Sequence, residues 1–320
     1  MVLILSNLAD KSTIEVIDWL NMGFVRISKE NYLISLDIHM GNDSSNSTLN
    51  LSNSKKIDTN KIYSYWYRRD CFVLDIDLDK INIDDKRLRD NLDKEWEKLN
   101  TYIQFHLKSK RSLGCFYKEL LQNKLEVLSI AQAFELKIPL TLITTRRSSL
   151  ISFVQKYGDC ITKTIGNMFK IEHSNYAQTI STQLVTENLL STLGERFFPT
   201  LVQKKVEKVF ELRIFYMKSQ FYPMAIFSQN DEKTKLDYRN YNREKPNRNI
   251  PYVLPKAIEE KLQKLMDKLD LDSGSIDMIV TPEEEYVFLE VNPTGQFGWV
   301  SENCNYYLEE KIANYLQSEA

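Results

Sequence analysis

Residues 274–299 read GSIDMIVTPEEEYVFLEVNPTGQFGW. Apolar runs stand on both sides of the polar break Thr281–Tyr286, which predicts two strands, Ser275–Val280 and Tyr286–Asn292, folded back on each other. Side chains alternate between the faces of a strand, so Glu290 and Asn292 share one face. The hairpin then sets Asp277 roughly opposite Glu290. Two carboxylates and an amide oxygen converge, and hard oxygen donors of this kind suit Mg²⁺, which takes its remaining ligands from phosphates and water. The same pattern fits a polar hairpin face turned to solvent. Leu289 and Val291 flank the acids with apolar side chains, and that favours the metal.

Outward from this hairpin, short strands alternate with amphipathic helices, the pattern of an α/β (α+β) protein. A first lobe, 1–112, opens on the apolar strand Val2–Leu5 and a helix Ser12–Leu20, with Ser12 as N-cap and Glu15 at the third helical position. Strands follow at Phe24–Ile27, Tyr32–Ile38 and Ile62–Tyr67. Residues 41–58 are Asn/Ser-rich and read as a mobile surface loop, having little apolar area to offset ordering. Leu88, Leu92, Trp96, Leu99, Ile103 and Leu107 mark a helix over Asp84–Lys108. A central lobe, 113–200, carries helices Lys118–Phe134, Ser148–Tyr157 and Glu187–Leu193, with strands Leu140–Thr144, Cys160–Thr164 and Phe169–Glu172. A third lobe, 201–320, is rich in strands (Thr200–Val206, Glu211–Lys218, Phe221–Phe227), with a polar loop at 228–250 and a helix at Pro255–Leu269.

The 320 residues hold 42 Lys and Arg against 44 Asp and Glu, a formal net charge of −2. That balance argues against a nucleic-acid partner, which calls for a basic excess. At 42% hydrophobic and 27% charged the chain is globular in composition. No apolar run reaches the roughly 18–20 residues of a membrane span, and Met1–Leu5 is too short for a signal peptide, so no membrane and a cytoplasmic location are expected. Cys71, Cys115, Cys160 and Cys304 are scattered without metal-ligand spacing and read as reduced thiols. On the same view the Asn-x-Ser/Thr triplets at Asn42, Asn46 and Asn50 carry no glycan. His39, His106 and His173 leave little material for a histidine-centred site, and His173 beside Glu172 reads as a surface pair. Carboxylates, lysines and arginines are the remaining chemistry.

Asp277, Glu290 and Asn292, within Leu289-Glu290-Val291-Asn292-Pro293, resemble the metal signature of the ATP-grasp ligases. Other landmarks fall in the family's order. Asn123-Lys124 opens a helix before Ile138-Pro139-Leu140-Thr141, Lys163 stands on a strand where phosphates are contacted, Val202-Gln203-Lys204-Lys205-Val206 is similar to the adenine hinge, and Glu211-Leu212-Arg213 is similar to the ribose and phosphate stretch. The resemblance implies a three-lobe fold with ATP bound between the central and C-terminal lobes. It further implies Mg²⁺ on Asp277, Glu290 and Asn292, the nucleotide on Lys124, Lys163, Gln203, Lys204, Val206 and Glu211, and phosphate neutralisation by Arg213. One departure stands out: the phosphate-covering loop of these enzymes is glycine-rich, and here Thr164-Ile165-Gly166-Asn167-Met168 holds a single glycine.

Trp66-Tyr67-Arg68-Arg69, Asp237-Tyr238-Arg239, Asn247-Arg248 and Asn292-Pro293-Thr294-Gly295-Gln296-Phe297-Gly298-Trp299 together resemble the graspetide synthetases, the microviridin-type maturases. Taken alone, Arg68-Arg69 is equally a solvated pair at a strand end, and the cations of 228–250 equally a charged flexible loop. The resemblance implies that a Glu or Asp side chain of a leader-bearing, ribosomally made precursor peptide is phosphorylated by ATP and then captured by a Ser/Thr hydroxyl or Lys amine, closing an ester or amide ring. Arg239 and Arg248 are then expected to hold the carboxylate, Asp237 to orient Arg239 or meet the peptide, and Arg68 and Arg69 to contact substrate. A homodimer is the other partner state considered. The rival readings are an ATP-grasp ligase acting on free amino acids or peptide tails, and a non-catalytic nucleotide-binding regulator.

Overall fold

The computed structural model describes residues 1–42, 45–76, 85–166, 170–172, 177–179, 182–240 and 242–318. The chain divides into two compact units, one of residues 1–121, 271–274 and 293–320, the other of 122–270 and 275–292.

In the first unit Val2–Leu5 is buried along its whole length, as a continuous apolar run predicts for a strand covered on both faces. It pairs in parallel with Phe24–Ile27 on one side and Ser64–Tyr67 on the other, and Arg111–Leu113 extends the sheet in parallel beyond Ser64–Tyr67. The first helix is Lys11–Asp18, and its N-cap is Asp10 rather than Ser12. The Asp10 carboxylate accepts from the Thr13 amide at 2.9 Å, occupying one of the unpaired donors of the first turn.

The stretch 41–58, read above as a loop, contains two strands. Ser45–Leu51 pairs antiparallel with Leu33–Met40 and with Lys56–Asp58. Leu49, Leu51 and Ile57 are fully buried and join Leu3, Leu5, Tyr65 and Phe72 in one core. Polar residues fill the alternate positions, and they mask a period of two that only three apolar side chains carry. The long helix Lys86–Lys108, capped by Asp85, packs Ile103 and Leu107 into the same core. Two further helices, Gly298–Cys304 and Leu308–Gln317, follow the strand ending at Asn292.

The second unit holds two larger sheets and a two-stranded ribbon, Lys170–Glu172 paired antiparallel with Ala177–Thr179. A four-stranded one has the order Gln183–Leu184, Cys160–Lys163, Arg196–Lys204, Thr141–Arg146. A five-stranded one has the order Arg248–Pro251, Gln220–Phe227, Phe210–Met217, Ser273–Val280, Tyr286–Asn292. The expected helix Lys118–Phe134 is two helices, Phe116–Leu120 and Lys124–Ala133. Asn123 divides them, because its side chain caps the second by accepting from the amides of Leu125 and Glu126. The polar stretch 228–250 ends in the edge strand Arg248–Pro251. Asn167 and Met168 of the phosphate-loop stretch, Phe169 and His173 lie outside the described residues. Among the described residues no helix is long and apolar enough to cross a membrane.

Candidate active site

The hairpin expected from 274–299 is present, and its register makes Asp277 and Glu290 direct partners. An irregularity follows at once, since Met278 pairs with Phe288 and skips Leu289. Asp277 is buried, and its carboxylate receives Arg213 Nη1 at 3.0 Å on Oδ1 and 2.8 Å on Oδ2. Tyr238 donates its hydroxyl to the same Oδ1 at 3.3 Å. Glu290 meets Lys124 Nζ at 3.5 Å on one oxygen and Arg239 Nη1 at 3.7 Å on the other.

These surroundings act differently on the two acids. Burial pushes the Asp277 carboxyl up, against the Arg213 guanidinium, which pulls it down. Burial also raises Glu290, but Lys124, Lys163, Arg239 and Arg213 together prevail and hold it below the usual glutamate range. Glu290 is therefore the more readily ionised member of the pair.

Asp277 and Glu290 line one open cavity with Lys163, Gln203, Lys204, Val206, Glu211, Asp237 and Arg239. Lys163 ends the strand Cys160–Lys163. Its ammonium makes no hydrogen bond or ion pair among the described residues, and burial lowers its pKa against the pull of Glu290. Gln203, buried on Arg196–Lys204, donates to Thr141 Oγ1 at 3.0 Å. The chain then turns through Lys204-Lys205-Val206, where the Lys204 amide bonds the Leu140 carbonyl and the Lys205 amide that of Asp159. Glu211 accepts from Lys208 Nζ at 2.6 Å and Ser228 Oγ at 2.7 Å. Its burial raises its pKa, and Lys208 offsets part of that rise.

Asp237 and Arg239 form a local fork. Arg239 Nε reaches Asp237 Oδ1 at 2.8 Å and Nη2 reaches Oδ2 at 2.7 Å, with the Arg239 amide on Oδ1 at 3.1 Å. Burial raises Asp237, but this fork outweighs it and holds the acid below its ordinary value. The loop that carries the fork is itself tied. Thr234 Oγ1 bonds the Ser228 carbonyl and Asn247 Oδ1, and Asn242 bonds Asp231.

Four expected residues remain. Arg248 is exposed at the start of an edge strand, its guanidinium 5.7 Å from the Phe227 ring centroid. Arg68 and Arg69 belong to the other unit, where both donate to the Thr294 carbonyl. Arg68 is 3% exposed and also meets Gln296 Oε1 at 2.9 Å and Asp10 at 3.5 Å. Asn292 is exposed at the end of its strand, opposite Ser275. Tyr238 and Lys208 are the residues the sequence reading passed over. Tyr238 lies inside the Asp237-Tyr238-Arg239 motif, and Lys208 stands three residues before Glu211.

Among the described residues, no group of three or more His, Cys, Asp or Glu is arranged to hold a metal. The donor set here is two carboxylates and one amide. Among the described residues Glu290 has cations no nearer than 3.5 Å, so its oxygens keep room for another ligand. Such a set fits Mg²⁺ that brings phosphate oxygens and water with it, and not a fully protein-built cage.

No protein-family model and no curated protein matches the sequence. Solved structures do. A Chryseobacterium gregarium RiPP-associated ATP-grasp ligase, in complex with ADP and a leader and core peptide, is 28% identical, with 100% of this chain and 97% of that one covered and a TM-score of 0.85. The macrocyclase MdnC of Microcystis aeruginosa, bound with precursor peptide MdnA, is 26% identical over 99% of both chains, TM-score 0.80. The macrocyclase MdnB of the same organism is 25% identical over 99% of both, TM-score 0.75. At that likeness, sustained along both chains, the protein is an ATP-grasp ligase of the build that RiPP-associated ligases and macrocyclases share.

Proposed function

We propose that the protein activates Glu or Asp side chains of a leader-bearing precursor peptide with ATP and closes them onto Ser/Thr hydroxyls or Lys amines of the same peptide. The observation that carries this reading is the facing pair Asp277 and Glu290, set in one cavity with Lys163 and the Asp237–Arg239 fork. Asp277, Glu290 and Asn292 would hold Mg²⁺, which when bound offsets charge on the phosphates. Lys124 and Lys163 present cations to the triphosphate, and Gln203 to Val206 line the nucleotide's base. Arg239 presents its guanidinium to the peptide carboxylate, the arrangement in which a planar fork recognises a carboxylate best.

A peptide carboxylate oxygen attacks the γ-phosphorus, the bond to the ADP oxygen breaks, and an acyl phosphate forms. The hydroxyl or amine then attacks the acyl carbon, sheds its proton, and phosphate leaves. The protein supplies alignment and charge neutralisation, the terms that dominate phosphoryl transfer. A cytoplasmic place of action goes with this reading, since the substrate is ATP and all four cysteines are free thiols.

Intact-mass spectrometry tests it. Incubated with ATP, Mg²⁺ and its leader-bearing precursor, the protein is expected to remove one water from the peptide for each ADP formed. A ligase acting on free amino acids would add mass instead, and a regulator would change none. Either result would overturn the proposal. The core peptide without its leader is expected to react more slowly, because ordering a flexible chain then lacks its remote binding energy.

A further inference from the structure

We propose that Tyr238 is a positioning residue, a latch that holds residues 237–239 on Asp277 until a divalent cation claims that carboxylate. The inference rests on the nucleotide-and-magnesium reading above and adds a residue that reading leaves without a role.

Two consecutive residues reach the two members of the carboxylate pair, one each. Tyr238 donates to Asp277 Oδ1 at 3.3 Å, and Arg239, braced by Asp237, directs Nη1 to Glu290 Oε1 at 3.7 Å. Asp277 and Glu290 are register partners on neighbouring strands, so one short segment spans the place a shared cation would take. The root of the loop is held separately, by Thr234 on Ser228 and Asn247. A change at its tip therefore need not unfold the rest.

A carboxylate oxygen has two lone pairs. Asp277 Oδ1 already accepts twice, from Arg213 at 3.0 Å and Tyr238 at 3.3 Å. A cation drawing on the same oxygen displaces one donor, and the longer, uncharged contact yields first. The same cation screens Glu290 and weakens its 3.7 Å attraction for Arg239. Cation binding then frees the tip of the loop and turns Arg239 toward a peptide carboxylate. The order of events follows from the geometry: metal and nucleotide first, peptide second.

Hydrogen–deuterium exchange on the full chain, with ADP plus Mg²⁺ against ADP plus EDTA, reads this directly. Loss of one hydrogen bond should speed exchange of the amides of 236–240 about fivefold when Mg²⁺ is present. In Tyr238→Phe that segment should exchange fast already in EDTA, with Mg²⁺ adding little. ADP affinity by calorimetry and the thermal melt of the variant should stay close to wild type. Wild-type exchange that is unchanged or slowed by Mg²⁺, or a variant that responds as wild type does, overturns the latch and leaves the proposed reaction standing. Failure of wild type to bind ADP with Mg²⁺ would remove both.

Discussion

Asp277 and Glu290 face each other across two antiparallel strands, and each answers to its own cation: Arg213 grips Asp277 through both oxygens, while Lys124 stands 3.5 Å from Glu290. The two acids therefore divide the work. Asp277 is buried and anchored, and Glu290 is held charged by surrounding lysines and arginines at distances that leave its oxygens open to a further ligand.

Glu290→Gln keeps the shape of the side chain and removes its charge. ADP release in the presence of precursor is expected to fall about 100- to 1,000-fold, the size of losing one aligned electrostatic contact in the transition state. Glu290 is a quarter exposed, so the melt should shift by only a few degrees. Release at the wild-type rate from a folded variant would remove Glu290 from the metal site.

Much of this site was legible because its signal is local. The alternation of Ile276, Asp277 and Met278 against Leu289, Glu290 and Val291 marks the hairpin and its two facing acids within sixteen residues, though not the irregularity that skips Leu289. The strand Leu33–Met40 was legible, as Tyr32–Ile38, but its partners at 45–58 were not, because polar residues fill every position of Ser45–Leu51 and Lys56–Asp58 except Leu49, Leu51 and Ile57, which reach the core. Nor were the partners of Arg68. Its buried contacts come from Asp10, Thr294 and Gln296, more than fifty and two hundred residues away in sequence, and a strand-end Arg-Arg pair carries no mark of them. The helix Leu308–Gln317 did leave a trace. Leu308, Ile312 and Leu316 recur every four residues and are fully buried or nearly so.

Gly114→Ala tests the frame of the first unit. Gly114 follows the strand Arg111–Leu113 at φ +74°, and a Cβ there would lie 2.1 Å from the Tyr67 carbonyl oxygen. Its amide donates to Asp272 at 2.9 Å, so the backbone is not free to move away. The positive φ and the overlap together should cost about 2–4 kcal/mol, lowering the urea midpoint with little change in slope. A midpoint equal to wild type would show that the strand end repositions at no cost.

Lys163→Met should stabilise the ligand-free protein while weakening nucleotide binding. The Lys163 ammonium, on a half-buried side chain, makes no hydrogen bond or ion pair among the described residues, and the cost of its desolvation exceeds the attraction of Glu290, which is why its pKa lies below the ordinary lysine value of 10.5. The sign follows from linkage. A lysine with a depressed folded-state pKa binds its proton less tightly when folded, so wild-type stability rises with pH as the lysine deprotonates between its folded value and 10.5. Removing the charge should raise the unfolding midpoint at neutral pH, and that gain should shrink as pH climbs through the same window. Bound phosphates reverse the balance, since they give the ammonium the partner it lacks. Nucleotide affinity of Lys163→Met, read by calorimetry, should fall about 10- to 100-fold, the worth of one charge-assisted contact. A variant that is less stable than wild type at neutral pH would show that Glu290 already compensates the lysine, and unchanged nucleotide affinity would place the phosphates elsewhere in the cavity.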